Sequence, residues 1–171
     1  MDQAYLSERT EQAESDQMQL VGFTIGKETF GVDILMVQEI IRSAPITAVP
    51  NSPDFIEGVI NLRGSIIPVI DLRKRLNLYK RKAVQESVAT WILIINVDDR
   101  VTGFIVDSVT KVLKIQISAI EPPPDIVVAG LKSQYIRGVC EIDTGLLILL
   151  DFSRILQGKE IKKLKEIDHE N

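Results

Sequence analysis

The sequence has only one cysteine, Cys140, and only one histidine, His169, in 171 residues. A lone cysteine excludes an internal disulfide and a cysteine-rich metal site. His169 lies next to a polar C-terminus, where a general base or metal ligand would lack supporting groups. Neither glycine-rich phosphate-binding motif occurs. The sequence therefore predicts a protein that is not an enzyme and that binds no metal or cofactor.

Long apolar runs are also missing, and no basic segment followed by an apolar one opens the chain. We therefore predict a soluble, cytoplasmic protein without direct membrane insertion. The net charge of −4 gives no long-range attraction to nucleic acid. Aromatic residues make up 5% of the chain and apolar residues 45%, so the expected core consists of isoleucine, valine and leucine, with Cys140 as a small buried hydrophobe.

A β-hairpin is predicted in the middle of the first half. Two apolar runs, Val59–Leu62 and Ile66–Ile70, flank Arg63 and Gly64, and glycine supplies the positive φ that a tight turn requires. Pro68 has no N–H to donate, so the second strand is expected to be an edge strand or to carry a bulge. Asp71 follows as the predicted cap of a short helix.

The hairpin unit occurs twice. Phe55–Leu76 aligns without gaps on Tyr135–Leu156, and Leu20–Ile41 parallels Ile92–Leu113 at a slightly different offset. A period this long in two copies favours two similar β-units fused in one chain over a solenoid of short repeats. We expect a polar tail at 1–17, one domain at 18–157 made of a first copy (about 18–82) and a second copy (about 88–157), and a C-terminal helix or tail at 158–171.

Three further elements are predicted from their local pattern. Asp33 is expected to cap a helical turn before a strand, with helix and strand both open for so short a run, and Asp107–Val112 repeats the position of that turn in the second copy. Leu146–Leu150 is apolar throughout and is expected to be buried on both faces. The prolines at 122–124 predict a projecting ridge.

The absence of reactive groups favours a binding module. Val37, Val109 and Val112 lie on equivalent segments of the two copies, so they belong either to the core or to a groove between the copies. Such a groove suits an amphipathic helix with anchors three and four residues apart. Arg63 is either a solvated turn residue or a bidentate ligand for a carboxylate beside that groove.

Three stretches, Phe30–Ile40, Gly58–Arg73 and Gly103–Val109, closely resemble the bacterial chemotaxis coupling proteins of the CheW-like domain family. The resemblance extends from Met18 to about Leu156, and the Asn-Leu-Arg-Gly turn is its most specific part. It implies a mostly β fold of two intertwined, five-stranded SH3-like barrels from an internal duplication, with short helices and a C-terminal helix. It also implies a non-catalytic scaffold that joins the histidine kinase CheA to the cytoplasmic tips of chemoreceptors.

The resemblance also implies two sets of contact residues. The receptor set is Val37, Glu39, Gly58, Arg63, Val109 and Val112. The kinase set, directed at the CheW-like regulatory domain of the kinase, is Glu121, Ile126 and Gly138. On this reading the chain is monomeric alone and is recruited to receptor arrays at the membrane.

Two other interpretations remain open at the level of the sequence. Nucleic-acid binding is suggested by a basic cluster, although Tyr79 is the only aromatic residue that interrupts it. The cluster consists of Arg73, Lys74, Arg75, Lys80, Arg81 and Lys82. The second alternative is an enzyme regulator outside chemotaxis.

Overall fold

The computed structural model describes residues 16–78, 90–123 and 133–156. Several predicted segments therefore lie outside the described residues: the tail before residue 16, Tyr79 with the basic residues and the junction that follow it, Pro124, Ile126 and the C-terminal helix. The strands are β1 (Gln17–Ile25), β2 (Glu28–Asp33), β3 (Val37–Ile41), β4 (Ile56–Leu62), β5 (Ser65–Asp71), β6 (Trp91–Val97), β7 (Arg100–Val106), β8 (Ser108–Gln116), β9 (Ile136–Ile142) and β10 (Gly145–Leu150). The short helices are α1 (Leu72–Arg75) and α2 (Phe152–Ile155), and 3₁₀ turns cover Ile34–Met36, Ile117–Ala119 and Ser133–Tyr135.

The strands form two five-stranded sheets, which confirms the predicted mostly β fold. The sheet of barrel 1 has the strand order β8-β1-β2-β10-β9, and the sheet of barrel 2 has the order β3-β6-β7-β5-β4. Each barrel therefore takes a hairpin from one sequence copy and three strands from the other. Within the described residues, no helix is long and apolar enough to span a membrane.

The two barrels have matching strand registers. Val109 on β8 pairs with Phe23 on β1, and Val37 on β3 pairs with Ile95 on β6. Phe23 and Ile95 hold the same place in their hairpins, since they pair with Phe30 and with residue 102 respectively. Parallel pairing of β2 with β10 and of β7 with β5 completes the correspondence.

The predicted central hairpin and its turn are confirmed. Arg63 and Gly64 have φ values of 53° and 89° and connect β4 to β5. Positive φ at both positions is the backbone of a two-residue hairpin turn whose twist matches that of the strands. The Asn61 side chain stabilises the turn by accepting a hydrogen bond from the Gly64 N–H at 2.9 Å.

Pro68 corrects the prediction of an edge strand, because β5 lies between β4 and β7 inside the sheet. Opposite Pro68, Val59 directs both its N–H and its carbonyl to Thr47, so the Val59 and Pro68 pair needs no donor from proline. On the other side, pairing with β7 begins only at Val69. The missing N–H therefore costs no ladder bond.

Two local predictions in the second copy are wrong. The segment after Asp107 continues as β8 instead of forming a helical turn, because Asp107 bonds to other parts of the chain and Ser108 already pairs with β1. In β10, Leu147–Leu150 are buried as expected, but the side chain of Leu146 is 42% exposed. The predicted helical turn after Asp33 is confirmed over Ile34–Met36.

The largest core cluster lies between the barrels and draws residues from both. Phe23 stacks on Phe30 with ring centroids 5.6 Å apart, and Phe104 meets Phe152 edge to face at 5.0 Å. Each fully buried side chain of this size contributes about 1.5–3 kcal/mol through removal from water. Two smaller clusters fill the separate barrels. The shared cluster therefore holds the barrels together as one body.

Helix α1 fastens barrel 2 to the second sequence copy. Asp71 caps it by accepting a hydrogen bond from the Arg73 N–H, as predicted. Arg75 lies between the rings of Phe55 and Tyr135, 5.0 Å from each centroid, and donates a hydrogen bond to the Ile155 carbonyl at 2.8 Å. Phe55 and Tyr135 are equivalent in the two copies, so this arginine joins both halves of the duplication.

Candidate partner-binding surface

The chain crosses between the two barrels at two places, and both crossings lead into predicted receptor residues. After β2, the 3₁₀ turn Ile34–Met36 carries the chain from barrel 1 to Val37 in barrel 2. The turn is capped by Asp33, which accepts a hydrogen bond from the Leu35 N–H at 2.9 Å. After β7, Asp107 alone carries the chain back to barrel 1, two residues before Val109.

The two crossing valines are half-buried against the central cluster. Val37 and Val109 both pack on that cluster, so the core alternative applies to their buried side. The groove alternative stays a prediction for their exposed side. Val112, three residues farther along β8, is 48% exposed. Leu35, which sequence reasoning did not select, is 90% exposed at the tip of the first crossing. The crossings thus offer apolar side chains to a partner.

Arg63 does not stand free at its hairpin turn, since it pairs with Glu39 on β3. Arg63 Nη2 lies 2.7 Å from Glu39 Oε1. The arginine side chain is 75% exposed, so the pair lies at the surface. Because β3 and β4 are the two edges of the sheet, this ion pair joins the edges of barrel 2. The structure brings these two predicted receptor residues together.

The predicted residues Gly58 and Gly138 lie where another segment crosses an edge strand closely. Thr47 bridges to Val59 beside Gly58, and Glu121 bridges to Val139 beside Gly138. A Cβ atom at Gly138 would lie 2.5 Å from Ile120 Cγ2, and one at Gly58 would overlap the Thr47 carbonyl. Both glycines therefore have a structural reason to be there. Of the predicted kinase set, Ile126 lies outside the described residues.

An ion-pair network that sequence reasoning missed surrounds the second crossing. Arg73 donates two hydrogen bonds to the buried Asp71 carboxylate, each at 2.9 Å, and its Nη1 lies 3.3 Å from Asp107 Oδ1. Asp107 Oδ2 accepts the Gly26 N–H at 2.6 Å. Hydrogen bonding to Asp71 raises the pKa of Arg73 above its usual value, although burial opposes this shift. The guanidinium therefore stays charged around neutral pH.

The described part of the basic cluster is committed to internal contacts. Arg73 and Arg75 are engaged as above, and Lys74 Nζ lies 2.7 Å from Glu57 Oε1. The hydrogen bond to Glu57 raises the pKa of Lys74, so this ammonium is held in place. These side chains are therefore not arranged to follow a phosphate backbone, which removes support from the nucleic-acid alternative.

Cys140 is buried in barrel 1, as expected. Burial raises the pKa of its thiol, with smaller contributions from the charges of Glu121 and Glu141. A thiol with a raised pKa is a poor nucleophile. In the part of the chain that the structure describes, no three metal-ligating side chains converge.

Comparison with known proteins agrees with this architecture. The family model for the CheW-like domain matches residues 19–160. The chain is 37% identical over 155 residues to the chemotaxis protein CheW of Treponema pallidum, covering 89% of each chain. It is 39% identical over 139 residues to CheW of Klebsiella aerogenes, covering 81% of each chain.

A solved structure shows the same fold. The crystal structure of the scaffolding protein TtCheW from Thermoanaerobacter tengcongensis matches with a TM-score of 0.73 and 35% identity. The match covers 84% of this chain and 90% of that chain. Family model, sequence relatives and solved structure agree over most of the length, and the chain therefore belongs to the CheW-like domain family of chemotaxis proteins.

Proposed function

We propose that this protein is a non-catalytic scaffold that couples the cytoplasmic tips of chemoreceptors to the histidine kinase CheA. The observation that carries the proposal is the position of Val37, directly after the first chain crossing between the barrels, and of Val109, two residues after Asp107 at the second. A partner that touches both residues contacts the two barrels at once. Family membership supports the same role.

The receptor surface is proposed to consist of an apolar part and a charged part. Val37, Val109 and the exposed Val112 supply anchors for one face of an amphipathic helix. Arg63 and Glu39 supply a paired cation and anion at the surface. A receptor carboxylate binds Arg63 by sharing it with Glu39, while Gly58 shapes the adjoining edge of barrel 2.

The kinase surface is proposed to lie on barrel 1, where Glu121 crosses β9 next to Gly138. Ile126, the third member of the proposed set, follows in the same connection. The receptor residues of barrel 1, Val109 and Val112, lie on β8, at the opposite end of the strand order from β9, and we propose that receptor and kinase bind at the same time. The proposed partner is the CheW-like regulatory domain of the kinase.

The proposed mechanism depends on geometry and needs no reacting group. The barrels share one buried cluster, so the two surfaces keep a fixed relative orientation. A small movement of the receptor tip then shifts the equilibrium of the kinase between its active and inactive states. In this role the protein is a cytoplasmic monomer that receptor arrays recruit to the membrane.

Calorimetric titration with the regulatory domain of a CheA kinase from the same cell, at two salt concentrations, tests the kinase contact. One-to-one saturable binding supports the proposal. Absence of heat at both salt concentrations, with a protein shown to be folded by its melt, contradicts it. A parallel titration with a receptor-tip hairpin tests the other surface. Val112→Asp, at a side chain that is 48% exposed, should weaken that binding while leaving the melting curve and the kinase titration close to wild type.

A further inference from the structure

The two crossings between the barrels differ in how they are held. At the first crossing, the Asp33 carboxylate bonds within its own turn, to the Leu35 N–H. At the second crossing, Asp107 is bonded to two segments that are distant in sequence. Its Oδ2 accepts the N–H of Gly26, 81 residues away, and its Oδ1 faces Arg73, 34 residues away.

The second crossing therefore joins three parts of the molecule. Arg73 belongs to α1, which follows β5 of barrel 2, whereas Gly26 lies in the β1–β2 turn of barrel 1. The Asp107 N–H adds a hydrogen bond to the Thr24 carbonyl at 3.0 Å, and the hydroxyls of Thr24 and Ser108 are hydrogen-bonded to each other. Val109 comes next along the chain, so its position depends on these contacts.

Asp71 prepares Arg73 for this contact. The Asp71 side chain is 2% exposed and binds the guanidinium through two parallel hydrogen bonds, which fix the plane of the fork. The third guanidinium nitrogen, Nη1, is thereby directed at Asp107. A lysine could not make all three contacts from one point charge.

We propose that Arg73 is a positioning residue that, through Asp107, locks the second crossing and so fixes the partner-contact strand from Val109 onward. The inference rests on the proposed receptor surface, which includes Val109. It also predicts a division within that surface: the side at Val109 is rigid, while the side at Val37, where the crossing is capped within its own turn, adjusts to the partner.

Two variants test the lock. Asp107→Asn keeps the size of the side chain and an oxygen for the Gly26 N–H, but it removes the charge that faces Arg73. Arg73→Lys keeps the charge but loses the fork, and it leaves Asp71 with a weaker partner. Lys74→Gln is the matched control, because it removes a neighbouring ion pair with Glu57 that stays within barrel 2.

Hydrogen exchange of the backbone amides needs no partner and gives the first measurement. In Asp107→Asn, the amides of Gly26 and of residues 108–110 should exchange about tenfold faster than in wild type, because the lost charged contact lowers the cost of local opening. Lys74→Gln should leave these amides unchanged. Equal exchange in Asp107→Asn and Lys74→Gln would overturn the lock, whether or not Arg73→Lys folds.

Affinity gives the second measurement. Asp107→Asn should bind a receptor-tip hairpin about three- to tenfold more weakly, because the crossing must then become ordered on binding. The same variant should bind the kinase regulatory domain with wild-type affinity. Equal losses for both partners, or none for the receptor, would overturn the positioning role. If wild type itself fails to bind the receptor hairpin, the proposed function is wrong. The hydrogen-exchange comparison of Asp107→Asn with Lys74→Gln then tests by itself whether Arg73 and Asp107 lock the second crossing.

Discussion

The two barrels have corresponding strand orders and registers but opposite charges at two equivalent surface positions. In barrel 2, Arg63 in the β4–β5 turn pairs with Glu39 on β3. The equivalent positions of barrel 1 hold Asp143 in the β9–β10 turn and Lys111 on β8. These two side chains form no ion pair with each other in the part of the chain that the structure describes. Grooves of about 640 and 500 Å³ adjoin the two sites.

This difference shows which parts of a duplicated fold are constrained by folding. Strand registers and buried aliphatic positions recur in both barrels, because each hairpin must bury one face. Exposed charges carry no such constraint. The duplicated halves therefore retain a common frame while presenting different surfaces, which suits the proposed role as a scaffold for two unlike partners.

The largest effect is expected where the barrels differ inside the shared core. Phe30 stacks on Phe23, and the equivalent residue in the other hairpin is the much smaller Thr102. Phe30→Ala should lower the free energy of unfolding by about 3–5 kcal/mol, measured by denaturant titration. A loss no larger than that of an exposed substitution would mean that the central cluster does not hold the barrels together.

Arg75 tests the junction between the halves. Arg75→Ala removes two ring contacts and the hydrogen bond to the Ile155 carbonyl, so unfolding should become easier by about 1–3 kcal/mol. Lys74→Ala, on the same helix, is the control and should cost less. Equal costs in thermal melts would show that the bridge between the copies adds nothing beyond a surface ion pair.

The charge reversal is tested by matched alanine variants at the two hairpin turns. Arg63→Ala should weaken binding to a receptor-tip hairpin by about 1–3 kcal/mol, because a charged hydrogen bond is lost, with little change in the melt. Asp143→Ala, at the equivalent turn, should leave receptor affinity unchanged. Similar losses of receptor affinity from both variants in calorimetry would show that the charge difference between the two hairpin turns does not select the receptor.

The smallest expected effect is a gain in stability at residue 102. The Thr102 side chain is fully buried, and its hydroxyl has no hydrogen-bond partner among the described residues. Thr102→Val keeps the shape and removes the unpaired polar group, so stability should rise by up to about 1 kcal/mol. A decrease in the denaturation midpoint would reveal a hydrogen bond to that hydroxyl.

Local pattern was enough to predict the hairpin with its turn at Arg63 and Gly64, the cap at Asp71 and the duplication of the unit. These features depend on residues close together in sequence, whose φ preferences and hydrogen bonds do not need the rest of the fold. The resemblance to a family supplied the intertwined barrels. Residue patterns alone could not, because two separate barrels would bury the same alternating side chains.

The missed features all depend on contacts between distant segments. Pro68 is tolerated inside a sheet because Thr47 takes both backbone groups of Val59 and because pairing with β7 starts one residue later. Asp107 starts no helical turn, because Gly26 and Arg73 bind its carboxylate and β8 begins at the next residue. Neither arrangement leaves a periodic signal, so no window of sequence contains it.

The strand order also determines when each barrel can form during synthesis. Barrel 2 uses β3 to β7, one continuous stretch, whereas barrel 1 combines β1 and β2 with β8 to β10. On the ribosome, barrel 2 has all its strands once Val106 has emerged. Of the first hairpin, β1 finds its partner once β8 has emerged, whereas β2 must wait for β10, since Phe30 pairs with Ile148. The nascent chain thus carries an incompletely paired apolar hairpin until Leu150 has emerged, which is the interval in which chaperone binding matters most.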